Sequence, residues 1–435
     1  MAISNGEQLF GHTGMGLVSE VFKQSTLRQM AQMGNTAIGH VRYSTAGSSR
    51  LSNAQPLLAE YSQGQVAVAH NGNLINASLL RNEYEQHGHI FQGTSDTEII
   101  LLLLAKPNHV NKPDPLSHVL NHLQGAYCLL FLFPDRIEAV RDPFGIRPLC
   151  IGRLDDGSFV ISSETCALDM IDATYVRDVE PGEIVTLNEK GLRSRFFDGP
   201  ASVKPAHCIF EQVYFSDPSS TIFGENVHMV RAEMGRQLAR EAPAEADLVI
   251  PVPNCARCAA GGYSDESGIP YERGFSVSHY SGRSFIQPEQ PMRDLAVKLK
   301  LNVIKEVVRN RRVAVVEDSV VRGTTTRGKM SALRRAGVKE IHLRVASPPL
   351  RHPCFYGIDF PSHEELIANN KSVDEIRDYL EVDSLAYISL EGMLKCVKHA
   401  PEHYCTACWS GKYRIPVDTQ MSKYSMERRQ MRLFE

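Results

Sequence analysis

The apolar residues change their spacing once along the chain. Up to about residue 197 they fall in short runs, Ala37 to Tyr43, Val66 to His70, Tyr127 to Phe133 and Phe159 to Ser162, separated by turn residues. That pattern predicts strands. Few helices are expected in this half, with one strong candidate at Thr97 to Leu104. Gly199-Pro200 and Lys204-Pro205 then punctuate the pattern as a linker. Beyond it Val227, Val230, Met234 and Leu238 repeat at helical spacing. Leu248 to Val252, Val313 to Val316 and Ile341 to Ala346 read as buried strands, with a helix at Thr325 to Ala336. Helix alternating with buried strand implies a parallel α/β sheet. Ser362-x-x-Glu365 and Ser372-x-x-Glu375 have capping-box spacing and are expected to open two late helices.

Composition narrows the partners. The 435 residues are 43% hydrophobic and 22% charged, enough apolar material for two cored domains. A net charge of −3 gives no general attraction to nucleic acid or to an anionic membrane, so neither is expected as a partner and phosphate binding must be local. The longest apolar run, Ile99 to Ala105, is far short of the ~20 residues of a spanning helix. No charged-then-apolar leader opens the sequence, so a cytoplasmic location is expected. Ten scattered cysteines without such a leader argue against a disulfide framework and for buried thiols or metal ligands.

The richest segment runs from Arg312 to Thr326. An apolar strand leads into Glu317, Asp318 and Ser319, then into the turn Arg322-Gly323-Thr324-Thr325 and a helix. Such a turn aims backbone N–H groups and hydroxyls at one point, and the helix N-terminus adds partial positive charge, which together cradle a phosphate. The acids stand where they can bind ribose hydroxyls or Mg²⁺. The segment resembles the phosphoribosylpyrophosphate signature of type I phosphoribosyltransferases. That resemblance implies that Glu317 and Asp318 meet the ribose and Mg²⁺, and that Ser319, Arg322, Gly323, Thr324 and Thr325 bind the substrate around its 5′-phosphate. Glu317 stands where the family usually has an aspartate.

Tyr280-x-Gly282-Arg283-Ser284-Phe285-Ile286, Leu299 to Asn302, Ser347-Pro348-Pro349, Tyr356-Gly357-Ile358-Asp359 and Ser384 to Gly392 extend the likeness. With these phrases the second half resembles the glutamine phosphoribosylpyrophosphate amidotransferases. Tyr280 and Arg283 fall on the loop that closes over substrate in that family. Two stretches depart from it. The pyrophosphate loop reads Val252-Pro253-Asn254-Cys255-Ala256-Arg257-Cys258 in place of an acid, a serine and a glycine, and Val277-Ser278-His279 replaces a basic Lys-Asn-Arg. Lost cations beside a pyrophosphate leaving group imply a low kcat with a less affected KM.

In the first half Gly39 to Gly47, Ala69 to Asn76, Thr94 to Glu98 and Arg141 to Pro148 resemble the class II glutamine amidotransferase domain. The resemblance implies an αββα sandwich of the N-terminal nucleophile hydrolase type over 1–200. A parallel α/β phosphoribosyltransferase domain with a C-terminal cluster-binding tail follows over 206–435. Carried over by position, Arg42 and Asp96 hold glutamine, and Asn71 and Gly72 form the oxyanion hole. The family's nucleophile is a cysteine at residue 1 whose own α-amino group is the base. This sequence opens Met1-Ala2-Ile3-Ser4-Asn5-Gly6 and matches a strand well inside the domain. The sandwich is therefore expected to be N-terminally incomplete and the glutaminase step inactive.

Cys405-Thr-Ala-Cys408 has the spacing of one edge of a metal or cluster site. In the iron–sulfur branch of the family two distant cysteines complete the set, and the matching positions are Cys208 and Cys354. The resemblance thus implies a [4Fe–4S] cluster, with zinc drawing on His399 and His403 as the rival. Cys255 and Cys258 are read as loop residues, and Cys128, Cys150, Cys166 and Cys396 as packing residues.

The function implied is an amidophosphoribosyltransferase reaction of purine synthesis. It makes 5-phosphoribosylamine and pyrophosphate from phosphoribosylpyrophosphate and glutamine-derived or free ammonia. Purine nucleotide effectors and a homo-oligomer are expected with it. Two other readings stay open: a catalytically silent nucleotide-binding or regulatory subunit, and a transferase that uses a different amine.

Overall fold

The computed structural model describes residues 1–42, 50–197, 204–277, 301–360 and 362–417. The first half is built on a six-stranded antiparallel sheet. Across it run Gly191–Phe196, Glu183–Asn188, Arg136–Arg141, Gly125–Phe133, Gly64–Leu74 and Leu57–Tyr61. Successive side chains on a strand point to opposite faces, and this sheet buries both. Tyr127, Leu129, Phe131 and Phe133, with Val66 and Val68, pack under the helices Ala77–Gln86, Thr97–Ala105 and Pro115–Leu120. The intervening Leu132, Ala67 and Ala69 meet Ala2, Leu9 and Ile38 of a three-stranded sheet, and Cys128 and Ala139 meet Ile151 of another. Outside these lie the helix Gln24–Met33, anchored by Met30, and the turn Cys166–Asp169, anchored by Leu168. The layers are α, β, β and α, as expected.

Two details differ from the sequence reading. Among the described residues the strand expected at Ala37 to Tyr43 is Thr36–Ile38, and the chain leaves the sheet at Gly39. Helices are also more numerous than expected. Gln24–Met33 has Leu27, Met30 and Ala31 at helical spacing but buries only Met30.

The second half holds a parallel sheet in the order Leu248–Pro251, Arg312–Glu317, Glu340–Val345, Ser384–Tyr387. Val313 and Val315 face Met330 and Leu333 of the helix Thr324–Arg335 and Ile376 and Leu380 of Val373–Leu380. Ala314 and Val316 face Met234, Ala260 and Tyr263 of the helices Val227–Glu241 and Arg257–Ser267. Those two helices pack closely because Gly235 and Gly262 lie on each other's backbone, where a Cβ would overlap the carbonyls of Ala259 and Ala232. The Ser372 capping box opens a helix, but the one at Ser362 opens only a 3₁₀ turn, His363–Glu365. The amide of Ile367 bonds the Val321 carbonyl at 3.0 Å and draws the chain out of line after that turn.

The halves share a core. Ile75, Ala126 and Ile146 from the first pack with Cys208, Ile209, Phe210 and Tyr356 from the second. The amide of Cys208 donates to Ile146 at 2.9 Å, and Asn73 Nδ2 donates to the Phe355 carbonyl at 2.9 Å. No helix among the described residues is long and apolar enough to cross a membrane.

Candidate functional site

Glu317 ends the second strand of the parallel sheet, in register with Val345, and Asp318 begins the turn. Both carboxylates are buried, 4% and 7% exposed. Burial pushes Glu317 up to about 7; Lys329 opposes the rise and neighbouring Asp318 adds to it. Lys329 Nζ lies 3.2 Å from Oε2 and 3.4 Å from Oε1 of Glu317. Burial also raises Asp318, against a hydrogen bond from Ser319 Oγ at 2.8 Å. Two adjacent buried acids whose pKa values burial raises form a poised cation and hydroxyl site.

Gly323 then caps the helix Thr324–Arg335 with φ +75°, and a Cβ there would fall 2.7 Å from Ile367 Cδ1. Glycine alone suits both conditions. Thr324 and Thr325 are exposed at the helix start, free to meet an anion. Arg322 instead turns to Glu365, Nε to Oε1 at 3.0 Å, so the described arrangement does not bring it to the cradle. Tyr280 and Arg283 lie outside the described residues.

The loop after Leu248–Pro251 sits beside the acids. Burial raises the Cys255 thiol to about 12, with Asp318 and Glu317 contributing. Cys258 lies on the helix Arg257–Ser267 rather than in the loop, 3.1 Å from His228 Nδ1. A cation that sequence reasoning missed stands here. Arg231, 3% exposed, donates to the carbonyls of Gln212 and Ser216 at 2.7 Å each, and Cys255, Cys258 and Asp318 feel its charge. Its position in a helical repeat gave no sign of that role.

The first-half candidates converge on one cleft of about 370 Å³ lined by Arg42, Asn71, Gly72 and Asp96 together. Gly72 has φ +153°, and a Cβ on it would overlap the Ala126 carbonyl. Asp96 accepts the Leu74 amide at 3.0 Å and lies 3.5 Å from His70 Nδ1. Burial pushes its carboxyl up, but His70 and the Leu74 amide outweigh burial and hold it below its ordinary value. Arg147 Nη2 donates to Asn71 Oδ1 at 3.4 Å, and its Nε lies 3.0 Å from Glu211 Oε1, with both side chains buried. Glu211, Phe215 and Gly357 come from the second half and wall the same cleft. His70 and Gly357 sit within quoted phrases, but nothing in the Gly357 phrase assigned it to the glutamine side; Glu211 was not named from the sequence.

The four cysteines also meet. Cys208 and Cys405 are paired in a two-stranded parallel ladder, His207–Cys208 against Tyr404–Cys405. All four thiols belong to or pack against one core cluster. Burial raises Cys208 and Cys408 well above the ordinary thiol value, and burial raises Cys405 to about 12. After burial the other members contribute: Cys354 and Cys405 act on both Cys208 and Cys408, and Cys354 acts on Cys405. Among the described residues the one set of three metal-binding side chains with ligand atoms within 4.8 Å of one another is His109, His118 and His122. The four cysteines are brought together by that ladder and the shared core. His399 turns its Nε2 to the Phe223 carbonyl at 2.8 Å and is not gathered with them.

Known proteins share this architecture. A glutamine amidotransferase domain model matches residues 40–170. The chain is 48% identical to the chloroplastic amidophosphoribosyltransferase of Glycine max over 94% of its own length and 72% of the relative's. It is 44% identical to the amidophosphoribosyltransferase of Bacillus subtilis strain 168 over 95% of its length and 87% of the relative's. The solved B. subtilis glutamine phosphoribosylpyrophosphate amidotransferase, complexed with ADP and GMP, superposes with a TM-score of 0.89 at 42% identity, covering 97% of this chain and 92% of that one. The αββα sandwich, the parallel α/β sheet with its buried acids and likeness at this level along both place the chain in the amidophosphoribosyltransferase family of purine biosynthesis.

Proposed function

We propose that Glu317 and Asp318 take the ribose hydroxyls and Mg²⁺ of phosphoribosylpyrophosphate, while Ser319, Gly323, Thr324 and Thr325 receive its 5′-phosphate. The observation that carries this is a pair of buried, charge-costly acids at the end of a parallel strand, followed at once by a glycine-capped helix start. Tyr280 and Arg283 belong to the closing loop of the same site, and Arg322 joins it only by leaving Glu365. Ammonia attacks C1, the C1–O bond to pyrophosphate breaks, and the new nitrogen sheds a proton to give 5-phosphoribosylamine. Buried Arg231 supplies positive field beside the leaving group.

On the glutamine side, Arg42 and Asp96 hold the carboxylate and amino groups, and Asn71 and Gly72 face the oxyanion. Arg147 engages Oδ1 of Asn71, so the NH₂ is the group an oxyanion would meet. The cysteine donor set fits a [4Fe–4S] cluster, since four thiols, with no carboxylate or imidazole in the set, are gathered about one core, two of them buried and two half-buried. Bound there, it would cross-link the C-terminal tail to the core through Cys208, Cys354, Cys405 and Cys408. Purine nucleotide effectors, a homo-oligomer and a cytoplasmic location belong to the same proposal, the first supported by the ADP and GMP bound to the B. subtilis enzyme.

Calorimetry with Mg²⁺ and phosphoribosylpyrophosphate tests the site, with Asp318→Asn expected to abolish binding. Normal binding by that variant overturns the assignment. Absence of pyrophosphate release with ammonia in a wild type that binds would favour a regulatory subunit.

A further inference from the structure

Three histidines in the helical layer of the first half serve none of the three sites described above. His109 lies in the short helix Pro107–Val110, His118 in Pro115–Leu120, and His122 two residues beyond it. Their ring centroids are 4.8, 4.8 and 5.0 Å apart. One ligand nitrogen from each lies within 4.8 Å of the other two. None of the three lines the glutamine cleft.

The hydrogen bonding leaves lone pairs for a ligand. His109 is 5% exposed, and its buried Nδ1 has no hydrogen-bond partner. His122 places its Nδ1 2.8 Å from the His118 carbonyl, an acceptor, so Nδ1 carries the proton and Nε2 the lone pair. Edge-on packing of rings does not explain a buried imidazole nitrogen without a partner, because such an atom loses water and gains nothing in exchange. Burial, and after it the His122 and His118 rings and Lys106, hold His109 down to about 4, so its ring is neutral at pH 7.

We propose that His109, His118 and His122 form a binding site for one divalent transition-metal ion of the zinc class, clipping Pro107–Val110 to the end of Pro115–Leu120. The donor set decides the class. Three imidazoles with no carboxylate in the set suit Zn²⁺, Co²⁺, Ni²⁺ or Cu²⁺, whereas Ca²⁺ and Mg²⁺ need oxygen ligands. Bonds of ~2.0–2.1 Å put tetrahedral nitrogens about 3.4 Å apart, so the rings need to close by little more than an ångström. His118 is half-buried and His122 exposed, so both can move that far while buried His109 stays fixed. The exposed side leaves the fourth position to water. Lys106 and Lys112 are the cations nearest the set, and Lys106 is already drawn off by Glu83 at 3.4 Å.

The test is titration of the full chain, purified with its own cluster content, with Co²⁺ and with Zn²⁺. Wild type is expected to bind one ion with the visible absorption of nitrogen-ligated cobalt and no thiolate charge-transfer band. His118→Gln and His122→Gln are each expected to weaken binding by more than about 100-fold, since loss even of an outer-shell partner costs 10–100-fold. His87→Gln, an exposed histidine outside the set, is expected to leave binding unchanged. Both test positions are at or near the surface, and unfolding temperatures without metal that match the wild type will show the variants intact. A Zn²⁺-dependent rise in unfolding temperature is expected in wild type and not in the two variants. Equal affinity in wild type and both variants, a thiolate band, or no stoichiometric binding would overturn the site.

Discussion

Glu317 offers the sharpest test of how the transferase centre is tuned. Its carboxyl is buried, with Lys329 Nζ at 3.2 Å as its cation and Asp318 next to it, and burial pushes it up to about 7. A protonated Glu317 can neither hold Mg²⁺ nor accept fully from ribose hydroxyls, so binding requires the ionised form. At pH 6 about a tenth of the molecules are ionised and at pH 8 about nine tenths, which makes phosphoribosylpyrophosphate binding about tenfold weaker at pH 6 because apparent affinity scales with the competent fraction. The sign for stability is opposite. With its folded value raised, Glu317 contributes stability that is fully present below the unfolded value near 4.5 and lost as pH rises through about 7. The assay is calorimetry with Mg²⁺ at both pH values, for wild type and Glu317→Gln. The ligand's own phosphates titrate equally in the two, so the quantity to read is the ratio of their pH dependences. Lys329→Met should move the wild-type profile to higher pH, because the cation that opposes the rise is gone. If wild type and Glu317→Gln show the same change between pH 6 and 8, Glu317 is not a ligand and the cause of its burial must be sought elsewhere.

Two further outcomes are expected. Protein purified without oxygen should be brown and carry about four irons per chain, and Cys354→Ser or Cys408→Ser should lose them; colourless protein with stoichiometric zinc would reverse the assignment. Arg147→Met should destabilise the protein by about 3–5 kcal/mol in thermal unfolding, because it strands Glu211, only 1% exposed, without its partner. Adding Glu211→Leu should recover much of that loss, and a single variant within about 1 kcal/mol of wild type would show that the pair is not desolvated as described.

What the sequence disclosed was local. The run Val313 to Val316 reads as a buried strand because both of its faces are covered, and the acids, turn and helix that follow it are contiguous. Arg42, Asn71, Gly72 and Asp96 could be named because each lies in a phrase that resembles a family, and the structure brings all four to one cleft. The other half of that cleft could not be assigned to it from sequence. Glu211, Phe215 and Gly357 reach it only because the two halves share a core, and nothing in their neighbours encodes that contact. The same holds for the ladder that sets Cys208 beside Cys405, and for His109, which joins the H-x₃-H pair His118 and His122 only through the fold. Gln24–Met33 was a local signal passed over: Leu27, Met30 and Ala31 stand at helical spacing, in a segment that is otherwise polar.

The segment Cys208 to Ser216 joins these places physically. Its first residue pairs with Cys405 of the tail. Glu211 faces Arg147 in the glutamine cleft. The carbonyls of Gln212 and Ser216 hold Arg231, which in turn lies within the field of Asp318 and Cys255. Between them Glu211 to Phe215 winds as a π-helix, the Ser216 amide returning to the Glu211 carbonyl at 3.1 Å. Such wide turns are uncommon and recur at functional sites. Ile209, Phe210, Gln212 and Val213 are buried, so the segment has little room to shift at one end alone. A rearrangement that moves Glu211 when the cleft fills must therefore either strain the Arg231 anchor or carry it along, and Arg231 is the buried cation nearest the pyrophosphate loop. The contiguity supplies a route between the two sites, and whether energy travels along it is a matter of measured coupling rather than proximity. A double-mutant cycle between Glu211→Gln and Arg231→Lys, read as phosphoribosylpyrophosphate affinity with and without glutamine, isolates that term.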